Sequence, residues 1–493
     1  MSSAEKNSYR DILRASSIMG GAQALNYLVA MVRVKIIAVL LDPAGVGLVG
    51  LYQSALGLVG AVSGLGIASS GVREVALVHD GQDDPQAVAR TVKVLRRACW
   101  ATGILGWALS AALAVPLSQW AFGDTAHAVA IAVLGVTLLL GAIDGGQTAL
   151  LQGVRRIGDL ARIQVVAMLL NTVVAIGLYA WLREEGIVPV LLATAVLSLG
   201  CSWWYARRVA LHTVEMPWKQ TWHEARRFAK LGFAFMWSGL LLAGLDMFTR
   251  SLITRTHGLE AAGYYQAAWA LSGMFAAFVL SAMGTDFYPR LTAVIDDREA
   301  AVQAVNEQTE IGILLALPGL LATLAFGPFF LELFYSKKFL PAAELMPYFI
   351  LGVFGRVVSW PLGFIQLAKG SSRFFLVTET ISIFLWLALV AVLVPTVGVV
   401  GAAYAFAFTY LCYTFGMLWV GRHLIGFHWS RSVQKLLAIS ASIISLNFGL
   451  TIMTDGWVAT VGGGLLTWVG GIISLLALAK RLGREHRVIR LLP

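Results

Sequence analysis

Charge is what this chain has least of. Asp, Glu, Lys and Arg make up 13% of its 493 residues, about half of what a soluble protein of this length needs to cover its surface. With 58% of residues apolar and a mean hydropathy of +0.75, a bilayer must stand where water would. Soluble, disordered and collagen-like chains are excluded. Cysteine is nearly absent as well: Cys99, Cys201 and Cys412 fall in three separate apolar runs, which gives neither a disulfide framework nor a metal-ligand spacing. None of the eight histidines pairs with Cys or Glu at such a spacing, so no metal site and no cofactor is assigned. The longer charged connections, at about 72–97, 207–231 and 286–308, lack glycine-rich phosphate cradles, which excludes a nucleotide-driven motor. Long outer loops are missing too. The longest, 332–341, leaves no room for an extracytoplasmic catalytic domain, and the chain is not read as an enzyme. No Ala-x-Ala-like site follows the charges at Glu5, Lys6, Arg10, Asp11 and Arg14, so the first apolar run reads as a retained span.

What is present is a series of apolar runs. A hydrocarbon core of about 30 Å needs about 20 apolar residues per helix, and fourteen segments qualify: 15–40, 46–71, 98–121, 127–151, 163–182, 187–206, 232–254, 262–285, 309–332, 344–367, 375–394, 398–420, 435–453 and 457–479. The fold class is therefore all-α and polytopic. The net charge of +10 sits between these runs and alternates from loop to loop. Of the 37 Lys and Arg, 29 fall on one side and only Arg183, Arg255, Lys337 and Lys338 on the other. By the positive-inside rule both termini are cytoplasmic. This distribution also sets aside nucleic acid as a partner.

The sequence repeats at an offset of 213 residues. Gly45, Gly50, Tyr52, Gln53 and Ala55 lie over Gly258, Gly263, Tyr265, Gln266 and Ala268, and Gly71 lies over Gly284 without a gap. Both copies join an odd-numbered span to the next at the outer face, and both follow a basic amphipathic stretch, the second being 218–230. Copies six spans apart keep the same orientation, which is a parallel repeat about the membrane normal. Three regions follow: a six-helix lobe at 1–217, a second at 218–421, and two further helices with a basic cytoplasmic tail at 422–493. Transporters of this architecture carry a midplane site where the halves meet.

Two segments carry a family resemblance. The outer connection Leu41-Asp42-Pro43-Ala44-Gly45-Val46-Gly47-Leu48-Val49-Gly50 and the inner end of the fourth span, Leu151-Gln152-Gly153-Val154-Arg155-Arg156, resemble bacterial O-antigen and exopolysaccharide flippases of the multidrug/oligosaccharidyl-lipid/polysaccharide exporter superfamily. The pattern extends over about the first 420 residues. The resemblance implies two six-helix lobes around a central cavity, and movement of an undecaprenyl-pyrophosphate-linked oligosaccharide from the inner to the outer leaflet. The two additional helices depart from the common twelve-span form, as in the lipid II flippases.

Candidate site residues are the charges inside the spans, each costing about 2.5 to 3.5 kcal/mol at midplane on insertion scales unless it meets a partner, water or the interface. Arg33 and Asn26, seven residues apart, share one face of the first span and form the leading cavity stripe; a purely structural polar contact is the other reading. Lys35 lies about 200° around the helix from Arg33, and snorkelling to the outer headgroups accounts for it as well as substrate contact does. Arg356 is near the middle of the tenth span, where snorkelling is least effective. Asp246 and Arg250 are four apart, at intrahelical ion-pair spacing, and Asp246 falls on the repeat position of Arg33, which raises a bridge between the two copies as a coupling or gating device. Asp144, in Gly141-Ala142-Ile143-Asp144-Gly145-Gly146, is either a proton carrier or a carboxylate bonded to a neighbouring helix packed through the small residues. Arg73 and Asp286 read as interface anchors, Tyr52 and Tyr265 as part of the interfacial aromatic belts, and Pro318 and Pro361 as bends.

Four deep basic residues against two deep acids favour an anionic cargo. The leading function is a lipid-linked glycan flippase in the bacterial inner membrane, working by alternating access for O-antigen or exopolysaccharide biosynthesis. Its partners are the polyprenyl-pyrophosphate glycan, membrane lipid and, among assembly proteins, a polysaccharide polymerase. Coupling to H+, Na+ or the membrane potential stays open. A multidrug antiporter for organic cations would want an acidic, aromatic cavity, and a membrane-embedded polymerase would want a large outer loop.

Overall fold

A computed structural model describes residues 3–81, 85–210, 214–454 and 457–482. The basic tail beyond Leu482 and the side chains of Arg226, Arg227, Lys230 and Asp286 lie outside the described part. The described residues form helices and turns without a strand: α1 (Ser3–Gly64), α2 (Ile67–Gly81), α3 (Pro85–Ala112), α4 (Ala114–Phe122), α5 (Ala128–Gly153), α6 (Ile157–Leu182), α7 (Ile187–Ala206), α8 (Trp218–His257), α9 (Leu259–Val294), α10 (Arg298–Ala325), α11 (Gly327–Phe334), α12 (Met346–Ala368), α13 (Ser372–Val397), α14 (Val400–Ile425), α15 (Arg431–Met453) and α16 (Trp457–Leu482). In lipid the backbone must satisfy its own hydrogen bonds, and an uninterrupted helix does so. Helix accompanies each of the fourteen apolar segments. Nine stretches among the described residues are long and apolar enough to cross a membrane, or ten with α3 and α4 as one span bent by 63°; two of the nine, 28–64 and 157–206, each cover two of the segments expected from sequence.

The breaks between helices repeat along the chain. Leu113 separates α3 from α4 at φ −96°, ψ 8°, and Phe326, 213 residues later, separates α10 from α11 at φ −112°, ψ 20°. Asp42 breaks α1 at φ 57°, ψ 179°, and Gly258 ends α8 at φ 88°, ψ 171°. Arg155 and Gly370, and Arg183 and Gly398, form two more positive-φ pairs. These three pairs lie 215 or 216 residues apart, slightly out of the 213-residue register; in each the later break falls on glycine, which takes a positive φ without strain, and the earlier on a residue with a side chain. Pro318 and Pro361 sit within continuous helices; the ninth span breaks at Phe326 instead, ahead of Gly327 and Pro328.

Contacts divide the chain into two compact units, one up to Glu260 and one from Ala261. In the first, α8 packs on α1, α2, α3 and α4, so the seventh span joins the packing of the six before it. In the second, α12 packs on α14, and the last two helices, α15 and α16, pack on α10. Gly463 makes that last approach possible: a Cβ there would stand 2.7 Å from the Ala325 Cβ and 2.8 Å from the Asn447 side chain.

Tyr52 and Tyr265 are each 4% exposed, which corrects their assignment to interfacial belts. Tyr52 lies in the core of the first unit with Leu51, Ala55 and Leu134, and its hydroxyl is 2.7 Å from His127 Nδ1. The His127 ring stacks on Phe122 at 3.9 Å.

Candidate functional site

In the first unit, α1 carries Asn26 and Arg33 two turns apart, both half-buried. Arg33 lies close enough to the buried Tyr179 of α6 for its charge to act on the phenol, and it forms no ion pair among the described residues. Exposed Leu28, Val32 and Val39 mark a different face of the same helix. Lys35 falls at the edge of that apolar face by helical angle, is half-buried and has a partner of its own.

Asp246 and Arg250 form an intrahelical pair on α8. Arg250 Nε donates to both Asp246 oxygens at 2.9 and 3.0 Å, and Ser54 Oγ donates to Oδ2 at 2.5 Å. The Arg250 side chain is 9% exposed and that of Asp246 41%. This is the structural arrangement that the i, i+4 spacing allowed, and it leaves the Asp246 carboxylate engaged by its own helix and by α1. Ser54 lies within the repeat segment, one residue before Ala55.

Asp144 sits on α5, which runs unbroken through its glycines. Gly146 lets α3 approach, since a Cβ there would stand 2.9 Å from Cys99 Sγ. The close approach at Gly146 is small-residue packing of two helices beside Asp144. One turn inward, Gln147 accepts from Arg96 Nη2 at 3.4 Å.

In the second unit, Arg356 projects from the middle of α12, exposed and without an ion pair among the described residues. Gly352, one turn before it, and Gly355, its immediate neighbour, bring α14 close: a Cβ at Gly352 would meet the Phe406 ring at 2.3 Å, and one at Gly355 the Tyr410 Cβ at 3.2 Å. This places the half-buried Tyr410 within the electrostatic reach of Arg356. On its other side stands Glu379 of α13, which accepts from Tyr413 Oη at 3.1 Å and also acts on Tyr410. The sequence reading counts Asp144 and Asp246 as the deep acids and passes over Glu379. Its signal was a single carboxylate five residues into the segment 375–394, a depth at which an acid resembles an interface residue until a tyrosine from the next helix is seen to hold it.

Each unit thus carries a basic side chain inside an apolar span with no carboxylate paired to it. A guanidinium in that condition offers up to five donors in surroundings where water competes little, and a phosphate is the group whose geometry matches its fork. Among the described residues no cluster of His, Cys, Asp and Glu is arranged to hold a metal ion.

Comparison with known proteins gives a consistent picture. The profile of a family described as polysaccharide biosynthesis protein matches residues 36–344, more than half of the chain. The lipid III flippase of Escherichia coli (strain K12) is 23% identical over 387 residues, spanning 77% of this chain and 90% of the relative. Among solved structures, the lipid II flippase MurJ in its inward closed conformation aligns with a TM-score of 0.68 at 12% identity, over 94% of this chain and 99% of that one. An inward-facing multidrug resistance MATE family transporter of the MOP superfamily aligns with a TM-score of 0.61 at 18% identity, over 84% of this chain and 96% of the other. The fold is the one shared with these solved structures.

Proposed function

The chain belongs to the polysaccharide biosynthesis protein family, and from that membership we propose that it is a flippase for an undecaprenyl-pyrophosphate-linked oligosaccharide. The observation that carries the reading is the pair of unneutralised arginines, Arg33 in one unit and Arg356 in the other, each within an apolar span. Removing such a charge from water costs several kcal/mol unless a counter-charge arrives. A diphosphate supplies one, and the glycan then crosses as a passenger of the anchored head while the polyprenyl tail stays in lipid.

In this proposal the chain repeat supplies the two lobes, 1–217 and 218–421, and transport proceeds by alternating access. The fold supports that reading, because solved relatives of it are named for inward-facing and inward closed states. Asn26 would hydrogen-bond the cargo beside Arg33, with Arg250 and Lys35 as weaker contributors, since both are already engaged. Asp144 and Asp246 are proposed for coupling to H+ or Na+, and Glu379 joins them on the strength of its tyrosine contact. The membrane is the bacterial inner membrane with both termini cytoplasmic, the pathway is O-antigen or exopolysaccharide synthesis, and the product would pass to a polysaccharide polymerase. The protein is a transporter and not an enzyme.

A second reading, a multidrug antiporter of the same superfamily, is favoured by the MATE likeness. Its cargo is cationic, so open arginines would repel it. The two separate in one experiment on purified protein in vesicles: movement of a fluorescent undecaprenyl-diphosphate oligosaccharide between leaflets, against uptake of an organic cation such as ethidium. The flippase reading expects the first and not the second; ethidium transport with no lipid movement would overturn it.

A further inference from the structure

We propose that the groove between α13 and α14 holds one acyl chain of an anionic phospholipid whose phosphate rests on Arg373. The groove has a volume of about 490 Å³. Its walls are Val377, Ile381 and Leu385 from α13 and Cys412, Gly416 and Val420 from α14. Val377 is 54% and Ile381 63% exposed, so the groove opens sideways along the helices. Gly416 stands exposed in its wall, where an added Cβ would meet nothing within 4 Å. The missing side chain therefore serves no helix packing, and what it leaves is space.

Charge at one end of the groove decides the occupant. Arg373 stands in the first turn of α13, exposed and without an ion pair among the described residues, and the positive end of the helix dipole adds to its field. Lys369, four residues earlier, is already engaged by Asp296 at 2.9 Å. Beside Arg373, the Phe374 ring packs against His423 at 5.6 Å, and His423 stacks on Trp419 at 5.9 Å, which is the ring chemistry that membrane interfaces favour. A phosphate at that level, with an apolar chain running on past Val377 toward Leu385, satisfies both ends.

Size selects among lipids. From Arg373 to Leu385 the groove follows twelve residues of α13, about 18 Å at 1.5 Å per residue. That is close to the depth of one leaflet of a hydrocarbon core about 30 Å thick, and so to one acyl chain. The site is therefore for a bulk phospholipid of the leaflet at the Arg373 end, cytoplasmic by the charge pattern, and is separate from the cargo proposed above. A bound lipid here would fill the gap between two helices that carry Glu379 and Tyr413, and so stiffen that part of the second unit.

The test titrates the purified full-length protein in mild detergent with phosphatidylglycerol and with phosphatidylcholine and counts bound lipids by native mass spectrometry. Wild type should retain one phosphatidylglycerol at concentrations where phosphatidylcholine is not retained. Arg373→Ala should weaken retention about fivefold, the effect of one basic residue at an anionic surface, and Gly416→Leu, which puts a side chain into the groove, more than tenfold with thermal stability unchanged. Should Gly416→Leu misfold, the reaction of Cys412 with a maleimide in a Cys201→Ser background gives a second measurement, Cys99 being buried: phosphatidylglycerol should slow it and phosphatidylcholine should not. Equal retention of the two lipids, wild-type binding by folded Gly416→Leu, or a Cys412 rate indifferent to phosphatidylglycerol would each overturn the site. None of these readouts depends on transport.

Discussion

Replacing Arg33 or Arg356 by alanine is expected to cut transport of a lipid-diphosphate glycan by one to two orders of magnitude without loss of folded protein. The magnitude follows from the group removed. A hydrogen bond to a charged partner contributes about 1.5 to 3 kcal/mol, and each 1.4 kcal/mol is a factor of ten. The second half of the expectation follows from the surroundings: neither guanidinium forms an ion pair among the described residues, so alanine leaves no buried counter-charge behind, in contrast to the cost of breaking a buried pair. Lysine at either position keeps the charge and loses the planar fork, so Arg33→Lys and Arg356→Lys should fall between wild type and alanine. The measurement is initial flipping rate in vesicles, normalised to protein that elutes as a single folded species. Wild-type rates in both alanine variants would remove these residues from the site; loss of folded protein in both would mean that the side chains are structural.

Much of this architecture is legible in the residues because lipid is a demanding solvent. Apolar runs of the required length become helices whatever their local propensities, and alternation of Lys and Arg follows the loops. The chain repeat is legible in its matched Gly, Tyr, Gln and Ala positions, but its backbone breaks are legible only where glycine marks them. Gly258, Gly370 and Gly398 announce their left-handed backbones, whereas Asp42, Arg155 and Arg183 adopt the matching conformations with side chains that give no such notice. The break at Leu113 is invisible for a related reason: it lies in an apolar run, and only the equivalent break at Phe326, followed by Gly327 and Pro328, has a sequence signal. The site is less legible than the fold. Spacing paired Asp246 with Arg250 correctly, since i, i+4 geometry is local. It could not find Ser54 beneath Asp246 or Tyr413 on Glu379, because each of those contacts joins different helices and no local spacing specifies it.

Asp246→Ala should destabilise the protein more than Arg250→Ala, and the double variant should be more stable than Asp246→Ala alone. The asymmetry comes from burial. Arg250 is 9% exposed and Asp246 41%, so removing the acid takes the carboxylate away from a buried guanidinium, while removing the base leaves a more exposed carboxylate that still accepts from Ser54. Loss of one partner of a fully buried pair costs about 3 to 5 kcal/mol; the partial exposure of Asp246 brings the expected cost of Asp246→Ala to about 2 to 3 kcal/mol, and that of Arg250→Ala to about 1 kcal/mol. The double variant removes the buried charge together with its carboxylate and should recover about half of the larger loss. Denaturant or thermal unfolding of the four proteins in one detergent measures this cycle. The same set addresses coupling. If Asp246 served only to neutralise Arg250, the double variant would transport at the wild-type rate per folded molecule with an unchanged pH profile. If Asp246 also carries the coupling ion, as proposed, transport in the double variant should lose its dependence on the proton or sodium gradient even where stability is restored. An additive cycle, with no coupling energy between the two positions, would show that the 2.9 Å contact contributes nothing to the fold, and the carboxylate would then be free to exchange partners during transport.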